Sequence, residues 1–184
     1  MIVNLIITDD FYSNADNVRT FALEQEFNIS GNWPGQRTKS HLTTDTKQAI
    51  QTLLYPHAGK ITDWHDQDGL TGSFQLTYAS DRSWIHTDNF NTWAGVLYLT
   101  PNAPVSGGTG IYRFKENLAC TSLEMPDNYY GQDMTKWELV DKVGNKFNRL
   151  VLYRSNLYHM SMDYFGHSKE TGRLFQLFFL DTEN

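Results

Sequence analysis

The sequence predicts an α+β, mainly-β domain in which two early helices buttress one face of a β-sandwich. Three observations carry that expectation. Helical apolar spacing with capping residues is confined to the part of the chain before residue 60. From Ser73 onward it gives way to short runs rich in aromatic and β-branched residues, the signature of strands. Finally, 184 residues, 40% of them hydrophobic, suffice for one well-buried core but not for two ordinary domains. No internal repeat, low-complexity tract or linker marks a boundary, so residues 1–184 read as a single domain.

The opening stretch, Met1 to Asp10, is apolar, carries no basic leader or small-residue cleavage site, and is too short to span a bilayer. It reads as a first strand of a soluble, cytoplasmic protein with no membrane partner. Ser13 or Asn14 can cap a helix running to about Gln25, with Val18, Phe21 and Ala22 at helical spacing. Asp45 can cap a second helix, in which Ala49, Ile50, Leu53 and Leu54 form an apolar face, and Pro56 should end it. Strand-like runs then follow at Phe74 to Ala79, Trp93 to Leu99, Gly110 to Phe114, Arg149 to Arg154 and Leu174 to Leu180. The stretch from Lys115 to Asn145 is polar and irregular, which suggests a functional lid or a mobile loop. Its aromatics Tyr129, Tyr130 and Trp137 either contact substrate or anchor the loop.

Composition narrows the function classes. A formal net charge of −6 disfavours a phosphate-backbone footprint, and with it nucleic acid as a partner. The single cysteine, Cys120, can form neither an internal disulfide nor a thiolate zinc framework. A metal would have to bind through histidine and carboxylate.

His86-Thr87-Asp88 lies between two strand-like runs. If it is extended, the period of two puts imidazole and carboxylate on one face, within reach of one ion. Downstream, the run from Asn148 delivers His159 at its end, and Gly172-Arg173 opens the last strand-like segment. Two histidines, one aspartate and a following arginine are what a facial non-haem Fe(II) site needs, because three protein ligands leave three positions for a chelating cosubstrate and dioxygen. An arginine supplies a bidentate fork for that cosubstrate's carboxylate. Arg173 alternates with Phe175, Leu177 and Phe179 and so points with them toward a core, where a charge needs a partner. His41, His57 and His65 have no comparable context, and Asp63-Trp64-His65-Asp66 reads as a loop.

The order of these residues resembles that of the 2-oxoglutarate- and Fe(II)-dependent oxygenases, closest to the prolyl-hydroxylase-like branch. The likeness runs from about Phe74 to Leu180, and its most specific part is Ala94 to Pro101 followed by Val105-Ser106-Gly107-Gly108-Thr109-Gly110. It implies a double-stranded β-helix, or jelly-roll, with N-terminal supporting helices. It also implies Fe(II) on His86, Asp88 and His159, with Arg173 and Tyr98 on the far carboxylate of 2-oxoglutarate and Tyr78 as a further cosubstrate contact. His167, six residues before Arg173 where His159 is fourteen before it, is the competing third ligand. The implied activity is an O2-consuming dioxygenase, helped by ascorbate. It would hydroxylate an amino-acid or peptide/protein side chain and release succinate and CO2. The nucleic-acid-demethylating branch carries a second arginine where this chain has Phe179, so a small-molecule or peptide/protein substrate fits better. A non-catalytic jelly-roll module retaining the metal site is the alternative.

Overall fold

The computed structural model describes residues 2–67, 69–122 and 130–184. Its elements in chain order are β1 (Leu5–Thr8), α1 (Ala15–Glu24), β2 (Ile29–Gly31), β3 (Trp33–Ser40), α2 (Thr44–Ala58), β4 (Ile61–Asp63), β5 (Ser73–Thr77), β6 (Trp93–Tyr98), β7 (Thr109–Phe114), β8 (Trp137–Val143), β9 (Leu150–Arg154), β10 (His159–Ser161) and β11 (Arg173–Thr182).

Both helices lie where their apolar spacing placed them, with corrections at their ends: Asn14 stands at the N-cap of α1 but makes no side-chain cap bond, and both ends of α2 differ. Thr43, not Asp45, caps α2: its side chain accepts a hydrogen bond from the Thr46 amide at 3.1 Å, the usual N-cap bond. Pro56 does not end the helix, which continues to Ala58. Near a C-terminus a proline removes only one ladder bond, and Gly59, at φ 75°, closes the last turn with its amide on the Tyr55 carbonyl.

The strands form two sheets. The larger has the order β1-β9-β6-β11-β5-β3-β2, with β4 pairing the end of β11; the smaller has the order β10-β7-β8. All described pairings are antiparallel. Strand alternation then sorts the larger sheet's side chains. Phe74, Leu76, Trp93, Leu97, Leu150, Leu152, Leu174, Phe178 and Leu180 pack with Ala22, Ile50, Leu54 and Ala58 of the helices. Their opposite-parity neighbours Val96, Tyr98, Val151, Tyr153, Phe175, Leu177 and Phe179 face the other way and pack with Val143 of β8. Two antiparallel sheets enclosing one space, with helices outside the larger, make the jelly-roll that the sequence implies.

The segment expected to be irregular between Lys115 and Asn145 contains β8, paired along β7 from Phe114↔Trp137 to Thr109↔Val143. Only its two ends, Trp137 and Val143, are buried. An edge strand exposed on both faces between them leaves no alternating pattern to read. Trp137 packs edge-on to Phe114 and donates its indole N–H to the Tyr130 carbonyl at 3.0 Å, which makes it an anchor. Tyr129 lies outside the described residues.

Candidate metal centre

β10 and the segment before β6 run side by side at one end of the smaller sheet. His86 and His159 exchange backbone hydrogen bonds in both directions at 3.0 and 2.9 Å. The Asp88 amide donates to the Ser155 carbonyl at 2.9 Å, two residues out of the His86–His159 register, and so ties the segment to the end of β9. Because side chains alternate along an extended segment, His86 and Asp88 project together toward His159. The donor atoms of the three residues all lie within 4.8 Å of one another. His86 Nε2 is 3.9 Å from Asp88 Oδ1, and His159 Nε2 is 3.5 Å from Asp88 Oδ2. A first-row ion at about 2.1 Å from each donor holds cis ligands about 3 Å apart, so closure needs only small side-chain shifts.

Both imidazoles are oriented for that role. His86 Nδ1 lies 3.0 Å from the Trp84 carbonyl, and His159 Nδ1 lies 2.9 Å from the Leu157 carbonyl. A carbonyl can only accept, so each Nδ1 carries the proton and each Nε2 presents its lone pair to the site. Burial, then the neighbouring His86 ring, hold the pKa of His159 down to about 4 against the attraction of Asp88. It is therefore neutral, and ligand-competent, at pH 7. His167 is exposed in the turn before β11, where its amide bonds the Thr171 hydroxyl, and it does not join the cluster.

The basic residue lies deeper. Arg173 is fully buried, on the same face as Phe175, whose ring lies 4.3 Å below the guanidinium carbon. Its Nε donates to the Gly107 carbonyl at 2.9 Å and one terminal nitrogen reaches the Gly108 carbonyl at 3.4 Å. The Gly-Gly turn is thus explained: a Cβ at Gly108 would collide with the Val143 carbonyl. The remaining nitrogen, Nη1, is buried with no hydrogen-bond partner, and among the described residues Arg173 has no carboxylate. A buried guanidinium left this way is expensive unless an anion completes it. The Tyr98 ring lies 5.4 Å from the same guanidinium, and the Tyr98 hydroxyl hydrogen-bonds Thr109 Oγ1 at 2.7 Å. Burial raises the Tyr98 pKa, with Arg173 opposing, so the phenol stays a neutral donor.

Tyr78 is not brought to this site. It follows Phe74 and Leu76 at the parity that faces the helices, packs against their core, and lines a separate surface cleft with Asp81 and Lys169. Asp63, His65 and Asp181 also come together, but as a hydrogen-bonded tie. His65 Nε2 meets Asp181 Oδ2 at 2.9 Å, while the His65 and Thr92 amides occupy the two aspartates.

Sequence reasoning missed Trp33, Arg37 and Gln75, which line the same narrow cavity, about 80 Å³, as His86, Asp88 and His159. The strand that supplies the first two, Trp-Pro-Gly-Gln-Arg-Thr-Lys-Ser, has no apolar alternation and carries a proline and a glycine, so nothing in it reads as a strand.

A family model described as a family of unknown function, DUF6445, matches residues 117–179, a stretch that includes His159 and Arg173 but not His86 or Asp88. No curated protein sequence matches. Among solved structures, HygX from Streptomyces hygroscopicus, with nickel, 2-oxoglutarate and hygromycin B bound, is similar with a TM-score of 0.60 at 9% identity, over 96% of this chain and 82% of that one. SnoN, a non-haem alpha-ketoglutarate-dependent epimerase from nogalamycin biosynthesis, gives 0.59 at 12% identity, over 97% and 78%. A prolyl hydroxylase from Trichoplax adhaerens, in complex with a hypoxia-inducible-factor peptide fragment, gives 0.52 at 15% identity, over 97% and 84%. The chain therefore has the fold of the 2-oxoglutarate-dependent oxygenases.

Proposed function

We propose that the chain is an Fe(II)- and 2-oxoglutarate-dependent dioxygenase of the prolyl-hydroxylase-like kind. In this reading it hydroxylates an amino-acid or peptide/protein side chain. The observation that carries it is a pair of unmet demands on one face of the jelly-roll. Two Nε2 lone pairs and a carboxylate converge, and, among the described residues, a fully buried arginine on the sheet face that lines the same cavity lacks an anion.

His86, Asp88 and His159 would hold the ion, and Arg173 with Tyr98 would receive the far carboxylate of 2-oxoglutarate. When bound with dioxygen, that pair supplies the oxidation that turns a C–H bond into C–OH, releasing succinate and CO2. The chain's own share is orientation and containment. The Trp84 and Leu157 carbonyls fix the tautomers of the two histidines. Phe175, Leu177 and Phe179 wall the cavity against water. Among the described residues no helix is long and apolar enough to cross a membrane, and a cytoplasmic setting, where ascorbate or a thiol can keep iron reduced, suits a chain with one cysteine.

The test is calorimetric titration of nickel and then 2-oxoglutarate, followed by succinate release with Fe(II) and ascorbate, on wild type and His86→Ala. Tight, ordered binding and turnover that both disappear in the variant are expected. Nickel binding unaffected by His86→Ala sinks the reading, and binding without turnover leaves a metal-binding module instead. A metal-bound structure with the ion on His167 would replace the third ligand.

A further inference from the structure

We infer that Arg37 is the docking point for a carboxylate on the substrate, so that the substrate is a free carboxylic acid such as an amino acid. The inference rests on the proposed oxygenase reading and names its substrate class.

Arg37 sits in the middle of β3, beside Gln75 of β5. Only 8% of it is exposed, yet it lines both the metal cavity and a wider one of about 440 Å³ that opens outward past His86 and Asp88. It therefore stands where the route to the ligands narrows. Its Nε donates to Gln75 Oε1 at 2.7 Å, and Gln75 is itself held by donating to the Pro34 carbonyl at 2.6 Å. The guanidinium carbon lies over the Trp33 ring, 4.0 Å from its centroid, with the Phe179 ring centroid at 5.8 Å. One edge is thus engaged and the aromatic rings orient the group.

The other edge is free. Among the described residues neither terminal nitrogen of Arg37 has a hydrogen-bond partner or a carboxylate within 4.0 Å. Trp33, which lines both cavities, adds a buried indole N–H without an acceptor. Burial lowers the Arg37 pKa to about 10, with Asp88 opposing, so the group is a cation at neutral pH. A preorganised guanidinium edge with two parallel N–H donors matches a planar carboxylate.

Charge selects the same class. In the loaded site a divalent ion and Arg173 are balanced by Asp88 and the 2-oxoglutarate dianion, which leaves the charge of Arg37 over. One carboxylate neutralises it. A phosphate would set two charges against a single arginine close to Asp88, and a neutral substrate would leave a cation buried unpaired.

The experiment uses nickel-loaded protein with saturating 2-oxoglutarate, and metal-free protein in parallel. Ligand-observed NMR measures binding of free α-amino, aliphatic and aromatic acids, each beside its methyl ester. At least one acid should bind, with its ester and the Arg37→Gln variant each weakening it by about tenfold or more. Arg37→Lys, which keeps the charge but loses the fork, should fall between. The wild-type comparison of acid with ester decides even if a variant fails to fold. No bound acid, equal binding of acid and ester, or an Arg37→Gln protein that binds the acid as tightly as wild type overturns the inference. So does a variant that weakens 2-oxoglutarate as much as the acid, since Arg37 would then serve the cosubstrate. If wild type binds no nickel, the oxygenase reading falls, while the metal-free titrations still decide Arg37.

Discussion

The two faces of the larger sheet are made by the same strands and differ in what they leave unfinished. Toward the helices, Leu54, Leu97, Leu152, Leu174 and Phe178 are essentially excluded from water. Among the polar groups there, Gln176 is satisfied by the Gly72 carbonyl and the Tyr12 hydroxyl, while the Trp93 indole N–H and His41 Nε2 are buried without a partner among the described residues. Toward the smaller sheet, the same alternation buries Arg173 and Arg37, each with a terminal nitrogen that has no partner among the described residues. What is left open differs in kind: single neutral nitrogens on the helix side, and on the other side two guanidinium groups that a bound anion would complete.

The largest effect should come from breaking the packed face. Phe178→Ala removes a fully buried ring from the helix-side core and should cost about 3–5 kcal/mol in a denaturant titration. Nickel affinity of the folded fraction should stay the same. A smaller effect of different kind is expected for Arg173→Met. Its 2-oxoglutarate affinity should drop about 100-fold, some 2.7 kcal/mol, while stability changes by less than about 1 kcal/mol because an incompletely paired buried charge is also removed. If Arg173→Met destabilises as much as Phe178→Ala, the contrast between the faces is wrong and Arg173 is structural. Tyr98→Phe removes one hydroxyl bonded to Thr109 and should weaken 2-oxoglutarate by about fivefold, near 1 kcal/mol.

The same contrast explains what could be read from the sequence. Strands β5, β6, β9 and β11 are buried along nearly their whole length, so hydrophobic runs announced them, and parity along β11 put Arg173 on the face of Phe175. His86 and Asp88 were legible because two residues of spacing fix a common side. What stayed hidden is what tertiary pairing alone creates. β3 is polar and interrupted, so Arg37 had no visible reason to be buried. β8 is exposed between its ends. Asp181 meets His65 only because β4 pairs with the end of β11. Tyr78 shows the converse: the strand was legible, but parity carries Tyr78 to the helix side, away from His86, Asp88 and His159.

The smallest effect concerns an arginine that the fold itself completes. Arg149, at the start of β9, holds Asp9 in a bidentate pair, Nε to Oδ1 at 2.6 Å and Nη2 to Oδ2 at 3.1 Å, with Lys146 on Oδ2 at 2.8 Å. This is what a structural arginine in this molecule looks like, and among the described residues neither Arg173 nor Arg37 has such a partner. The hydrogen bonds from Arg149 and then Lys146 hold the Asp9 carboxyl well below its ordinary value of 3.8. The sign follows from linkage. Above pH 3.8 Asp9 is ionised in both the folded and the unfolded chain, and its contribution is complete. As pH falls below that value the unfolded chain takes up the proton first, so the contribution shrinks progressively toward the depressed folded value. Since the pair is about one-third exposed, solvent screening limits it to about 0.5 kcal/mol. Asp9→Asn should therefore lower stability by that amount at pH 6, and the gap from wild type should narrow in 1 M salt and close toward pH 2. Chemical denaturation across pH measures it. Neither nickel nor carboxylate binding should follow, because this arginine already has its counter-ion.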